Sequence, residues 1–284
     1  MMKSLLLMFA GLLAAGLAMG QEAAAPPLVK PETLPTSTVP RHVRVLWMEN
    51  PSTQAVVSWS TTLPGETHAV HFDTAPRDGK RKDYAKRVRE VHSGEYTRSE
   101  DDLEPSTAYY FVVATDDDAS QEFHFITAPD DDRPIRILFG GDSRIGGSEP
   151  YLHEDRRAIN RRMALTAEEH EDVIAFAHGG DFYQRAELRY MKPWLTDHEL
   201  VTTAKGRILP IIPARGNHDR QIGFEEMFYW PERSHDYYYV TQLSAKTALV
   251  TLNTEISLAG AQTAWLRMTL EKLRPANDWV FVQY

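Results

Sequence analysis

Three apolar runs in the second half of the chain end in the same chemistry: IRILFGGD (135–142), VIAFAHGGD (173–181) and RILPIIPARGNHD (207–219). Each has the unbroken apolar character of a strand buried on both faces. Each then turns at glycine and delivers a carboxylate or an amide: Asp142, Asp181, and Asn217-His218-Asp219. A single corner of this kind reads equally well as a solvated turn, since Gly, Asn and Asp favour turns for local backbone reasons. Three in succession, separated by charged segments with helical spacing at 154–171 and 187–205, predict a layered α/β domain. In such sheets ligands collect at the carboxyl ends of the strands, so the three corners are expected to share one crevice.

The rest of the chain follows other patterns. Residues 1–20 place Lys3 before an apolar run that closes on Ala18-Met19-Gly20, the pattern of a secretory signal peptide cleaved near Gly20. The run is short and rich in Ala and Gly where a span wants about twenty strongly apolar residues. A secreted or periplasmic protein with no stable membrane span after signal removal is therefore expected. Residues 21–40 hold five prolines and no apolar period, as a linker does. From 41 to 129 the runs VRVLWM, AVVSWST, AVHFDT, TAYYFVVAT and EFHFIT alternate and are broken by Pro, Gly and Asp, predicting an antiparallel sandwich. The α/β domain then occupies 134–284, with Pro193 expected to interrupt its second helix. YYYVTQL, TALVTLNT, the helix GAQTAWLRMTLEKLR and the strand DWVFVQY complete it. The absence of cysteine excludes a disulfide scaffold, and a formal charge of -9 argues against a nucleic-acid partner.

Oxygen donors beside a histidine suit Fe, Mn or Zn, and two cations about 3.5–4 Å apart need a bridging carboxylate. In their order, GD, GGD and GNHD, with His178 opening an HxGD string, resemble the motifs of the calcineurin-like metallophosphoesterases. Leu103-Glu104-Pro105-Ser106-Thr107-Ala108-Tyr109 resembles the tyrosine corner of fibronectin type III domains, and Trp59 their core tryptophan. Together, residues 41–284 are similar to purple acid phosphatases. The resemblance implies an α/β metallophosphoesterase sandwich, incomplete at its C-terminus, preceded by an all-β fibronectin type III-like sandwich.

It also implies two metal ions, iron, zinc or manganese, with Asp142 on the first, Asp181 bridging and Asn217 on the second. His218 matches the catalytic histidine that contacts phosphate or protonates the leaving oxygen, with Asp219 orienting it. His178 and Tyr183 would lie behind the ligands. Gln184 stands where purple relatives carry a metal-binding tyrosine, and Arg144 where relatives carry glycine or histidine. Arg144 is expected to fork a phosphate, with a surface ion pair as the alternative.

The function implied is an exported phosphomonoesterase acting on small phosphate esters. A phosphodiesterase or nucleotidase, and a non-catalytic binding or adhesion protein, are the alternatives. The family's further histidines, one at a strand end and others in a Gly-His-x-His loop, do not occur. The expectation is the N-terminal part of a longer enzyme, poorly active alone. His153, His170, His198 and His235 read as surface or capping residues, and Gln262, Trp265, Leu266 and Leu270 as helix core. Phe224, Phe228, Tyr229, Trp230 and residues 237–239 would either rim a pocket or pack.

Overall fold

A computed structural model of the chain describes residues 36–90, 103–145, 153–228, 230 and 236–284. The signal-like leader, the linker up to residue 35, Tyr229 and His235 lie outside the described residues. The first part holds β1 (Arg41–Leu46), β2 (Val56–Ser60), β3 (His68–Asp73), β4 (Lys86–Glu90), β5 (Ala108–Thr115), β6 (Asp118–Ala119) and β7 (Phe123–Ile126). It is followed by β8 (Arg136–Gly140), α1 (His153–Glu169), β9 (Val173–His178), α2 (Leu188–His198), β10 (Ile211–Pro213), α3 (Gln221–Met227), β11 (Tyr239–Ser244), β12 (Thr247–Thr251), α4 (Ala261–Leu273) and β13 (Trp279–Gln283).

In the front part β4, β3, β5 and β6 form an antiparallel sheet, with β7 also on β5. Its apolar face, from Phe72, Tyr109, Phe111, Val113 and Phe125, packs on Val43 and Val45 of β1. The Tyr109 hydroxyl accepts the Glu104 N–H at 2.8 Å, the local bond expected of a tyrosine corner. Trp59 is only half-buried and donates to Thr115 Oγ1 at 3.1 Å. The fully enclosed tryptophan is Trp47, just past β1.

Strand β1 does more than the sequence pattern indicated. It pairs antiparallel with β2 on one side and parallel with β10 on the other, so one sheet runs β2-β1-β10-β9-β8 through both parts. A second seam joins them where Ile208 N–H donates to His124 O at 2.8 Å and His124 N–H to Gly206 O at 2.9 Å. Buried Arg44 of β1 also donates Nε to Met227 O, at the end of α3, at 2.7 Å.

The other sheet is β11-β12-β13, antiparallel and then parallel. Between the two sheets, Trp47, Ala175, Ala177 and Ile212 meet Tyr239, Leu243 and Leu249. Met163 and Ala167 of α1 cover the outer face at Val173 and Phe176. On the opposite outside, Leu273, Trp265 and Leu266 of α4 cover Ala248 and Val250. The layers are thus helix, sheet, sheet, helix, with each enclosed large apolar side chain contributing ~1.5–3 kcal/mol. Gln262 is buried and bonds both the N–H and the carbonyl of Asn253, tying α4 to the end of β12.

Pro193 lies inside α2 and does not interrupt it. It has no N–H for the carbonyl of Arg189, but Arg189 is exposed, where water can serve that carbonyl. Trp194 and Leu195 bury the other side. No helix among the described residues is long and apolar enough to cross a membrane.

The shared sheet has a consequence for stability. Residues 134–284 expressed alone lose the outer partner of β10 and the Trp47 part of the core. Circular dichroism on heating should show a cooperative transition for the whole chain and none for that piece.

Candidate metal centre

Strands β8, β9 and β10 are parallel neighbours, and Gly140, His178 and Pro213 stand opposite one another across them. Three turns therefore leave the sheet at one level. Asp142 and Asp181 both take up the left-handed backbone region, with φ of 52° and 57°. That conformation costs an L-residue ~1–2 kcal/mol, less for Asp than for most. Bonds between the turns hold it: Asp142 N–H to Gly180 O at 2.9 Å, Gly179 N–H to Gly140 O at 2.7 Å, and Arg144 N–H to Asp181 O at 2.9 Å.

Two glycines are required by close approach. A Cβ on Gly180 would lie 2.5 Å from Gly216 N, and one on Gly216 would lie 2.3 Å from Asp181 Oδ1. Asp219 is fully enclosed, and its carboxylate accepts N–H groups from Asp181 at 2.7 Å, Phe182 at 3.0 Å and Gly216 at 3.0 Å. It stitches the β9 turn to the β10 turn. Burial pushes its pKa up to about 7, with the N–H bonds opposing that rise and the Asp181 charge adding to it.

The orienting role expected of Asp219 falls to another group. The His218 ring places Nδ1 3.0 Å from the Gln184 carbonyl, which only accepts, so Nδ1 carries the proton. Its backbone N–H donates to Asp181 Oδ1 at 3.0 Å.

His178 is enclosed and stacks on Phe182 with ring centroids 3.8 Å apart. Gly180 N–H donates to its Nδ1 at 3.1 Å, so Nε2 carries the hydrogen and donates to Ser143 Oγ at 2.7 Å. The same Oγ accepts from Trp194 Nε1 at 2.8 Å. Burial, with smaller effects from His198 and Arg156, lowers the His178 pKa to about 3 and keeps the ring neutral. His178 thus supports the Asp142 turn from behind. Tyr183 packs in the cluster with Phe224 and Met227, and its hydroxyl donates to Arg220 O at 3.4 Å.

Arg144 joins the two aspartates. Its Nε donates to Asp181 Oδ2 at 2.9 Å and lies 3.7 Å from Asp142 Oδ1, while a terminal nitrogen donates to Gln184 Oε1 at 3.0 Å. The Asn217 amide lies 3.2 and 3.3 Å from the two Asp181 oxygens. Turned with nitrogen inward it donates to both; turned with oxygen inward it completes an oxygen cluster that a cation would stabilise. Oxygens from Asp142, Asp181 and Asn217 are donors of the kind a hard cation takes. Among the described residues no group of three or more His, Cys, Asp or Glu could hold a metal ion, so these donors supply part of a shell.

Residues 40–127 match the family model of the purple acid phosphatase N-terminal domain. Residues 135–277, just over half of the chain, match that of the calcineurin-like phosphoesterases. The chain belongs to the calcineurin-like phosphoesterases. Its structure is similar to that of purple acid phosphatase PPD1 from yellow lupin (Lupinus luteus) seeds, with a TM-score of 0.62 and 14% identity, over 86% of this chain and 50% of that one. It is also similar to that of PhoD, with a TM-score of 0.50 and 11% identity, over 77% and 52%. At these identities the likeness is one of fold, and the chain spans about half the length of either structure. Among curated proteins, no sequence matches it.

The phosphoesterase fold, with its β-rich domain in front, is as the resemblance implied. The aromatic residues left open by sequence resolve to packing: Phe224, Phe228, Tyr237 and Tyr239 are buried, and Trp230 packs against two core clusters. Charged support for the site escaped the sequence reading. Arg156 of α1 donates to Ser143 O at 2.9 Å and, at 2.9 and 2.6 Å, to Oδ2 of buried Asp197 in α2. Arg157 bonds Asp197 Oδ1 at 2.6 Å, and His153 lies 3.3 Å from Oδ2. On a charged helix these arginines read as a solvated face. Burial raises the Asp197 pKa, but the bonds from His153, Arg157 and Arg156 outweigh it and bring it to about 2. His198, expected at the surface, is buried against Trp194 with ring centroids 4.8 Å apart.

Two outcomes follow from this geometry. Gly216→Ala drives a methyl group into Asp181 and should lower stability by ~1–3 kcal/mol in urea unfolding. Asp197→Asn should be less stable than wild type by about 2–3 kcal/mol at neutral pH. Because the folded Asp197 pKa is depressed from 3.8, its contribution is present above about pH 4 and lost as pH falls toward 2. Unfolding curves of the two proteins should therefore converge over that window.

Proposed function

We propose that this phosphoesterase is exported and hydrolyses small phosphate monoesters at a two-metal centre on this sheet edge. Asp142, Asp181 and Asn217 would hold the cations, iron, zinc or manganese, with Asp181 shared between them. Such cations, when bound, supply positive charge against the phosphate oxygens and acidify water. The chain's own residues do the rest. Asp219 keeps the second and third turns in contact, and His178 braces the first through Ser143. His218 spends Nδ1–H on Gln184, so Nε2 is the nitrogen that meets the ester and, protonated, gives its proton to the leaving oxygen. Arg144 supplies a planar fork for the phosphate.

The observation that supports this most is the common level of three strand ends, each closing on an oxygen donor. The apolar leader supports a secreted or periplasmic location. A second reading, a binding protein on the same scaffold, draws on the guanidinium already seated on Asp181.

The test uses the full chain with 4-nitrophenyl phosphate and its bis-ester. Asp181→Asn should cut monoester turnover to below about a hundredth of wild type and reduce bound metal in elemental analysis. Unchanged turnover would remove Asp181 from the centre. A wild-type protein that holds the cations in elemental analysis yet turns over neither ester would favour the binding reading.

A further inference from the structure

The second sheet reaches the base of the third turn through a row of polar side chains. Tyr239 of β11 stands opposite Thr251 of β12, and Thr251 stands opposite Gln283 of β13. Residues opposite one another in a sheet carry their side chains on the same face. This row faces β10. The Tyr239 hydroxyl donates to Pro213 O at 2.7 Å, and Gln283 Nε2 donates to Ile212 O at 3.3 Å and to Thr251 Oγ1 at 2.8 Å. Two consecutive carbonyls at the end of a three-residue strand are thus gripped from the opposite layer. The turn that carries Asn217, His218 and Asp219 leaves the sheet directly after them.

Packing alone does not account for the row. Apolar side chains fill much of the space between the sheets, Ala177, Ile212, Leu243 and Leu249 among them. Tyr239, Thr251 and Gln283 are all buried there, and Gln283 is only half satisfied: its Oε1 accepts no hydrogen bond among the described residues. A methionine would fill a similar space without burying an unpaired carbonyl oxygen. Burial raises the Tyr239 pKa, so its hydroxyl keeps the hydrogen that it donates. A polar group that costs stability, set against the strand end from which a candidate site departs, is where a departure from apolar packing points to function.

We infer, on the phosphoesterase reading proposed above, that Tyr239 and Gln283 are positioning residues which fix the third turn and so set Asn217 and His218 at their working distance from Asp181. Neither side chain touches a reacting atom. Asp219 ties the third turn to the second, and the tyrosine and the glutamine tie its base to the other sheet. The turn is then held from two layers, as a site built from separate elements requires.

The test compares the full chain with Tyr239→Phe and Gln283→Met, both close to the native side chain in shape. Thermal melts establish that each variant is folded, and either one carries the test if the other melts early. In hydrogen–deuterium exchange of the chelator-stripped proteins, peptides covering 214–220 should exchange about threefold to tenfold faster in each variant, the worth of one net hydrogen bond. Peptides covering 173–178 should keep the wild-type rate. With Mn²⁺ supplied, each variant should lower kcat for 4-nitrophenyl phosphate by about tenfold or more and leave KM near wild type, since misplaced groups weaken the transition state more than ground-state binding. A merely structural role would lower the melting temperature and leave kcat of the folded protein alone. Wild-type exchange at 214–220 in the folded variants overturns the clamp and leaves the phosphoesterase reading standing. Faster exchange with unchanged kcat overturns the positioning role in the reaction. A wild-type chain that turns over no ester overturns that reading and the positioning role together.

Discussion

The buried carboxylate of Asp219 is the bond on which the site depends. It collects three backbone N–H groups from two turns that share no sequence neighbourhood. The donors of Asp181 and Phe182 would otherwise be buried polar groups without a partner, at ~1–3 kcal/mol apiece. Holding them on one carboxylate presses Gly180 against Gly216, which is why neither position has room for a side chain. It also sustains the left-handed conformation of Asp181, which turns that carboxylate toward Arg144 and Asn217. Four parts of the site thus follow from one desolvated acid.

The turn after β8 is held by a different device. Ser143 takes hydrogens from a neutral histidine and an indole, and its carbonyl takes one from Arg156. Arg156 is in turn fixed by Asp197, a carboxylate with 1% side-chain exposure shared by two guanidinium groups. A buried ion pair adds little net stability compared with a well-packed apolar pair, but it is expensive to break once formed. Its use here is rigidity: α1, α2 and the first turn move together or not at all. A site whose donors come from separate elements needs support of this kind if they are to stay within bonding distance.

The front domain contributes to the same rigidity through the backbone. β1 belongs to the sandwich by its side chains, Val43 and Val45, and to the α/β sheet by its pairing with β10. The β10 strand is only three residues long, and it carries Asn217, His218 and Asp219 on its following turn. A strand so short has few ladder bonds of its own, so its place is set by neighbours on both sides. The β-rich domain is therefore part of what positions the third turn.

Local chemistry was legible in the sequence because it is carried by adjacent residues. Apolar runs closing on Gly-Asp or Gly-Asn-His-Asp announce buried strands that end in donors, and alternation with charged helices announces layers. Short or charged elements were not legible: β4 is a charged strand, and α3 has seven residues, too few to show a period. Nor could Pro193 be placed, because the cost of a proline inside a helix depends on whether the carbonyl it orphans faces water, which the tertiary structure decides. Which residues carry oxygen donors, and in what order, was determined by the sequence alone. That Gly140, His178 and Pro213 stand level, that Asp219 serves the backbone and Gln184 serves His218, and that Arg144 rests on Asp181, was decided by the tertiary structure. The partners in those contacts lie tens of residues apart, and their pairing exists only once strand register has been set by the packing of whole layers.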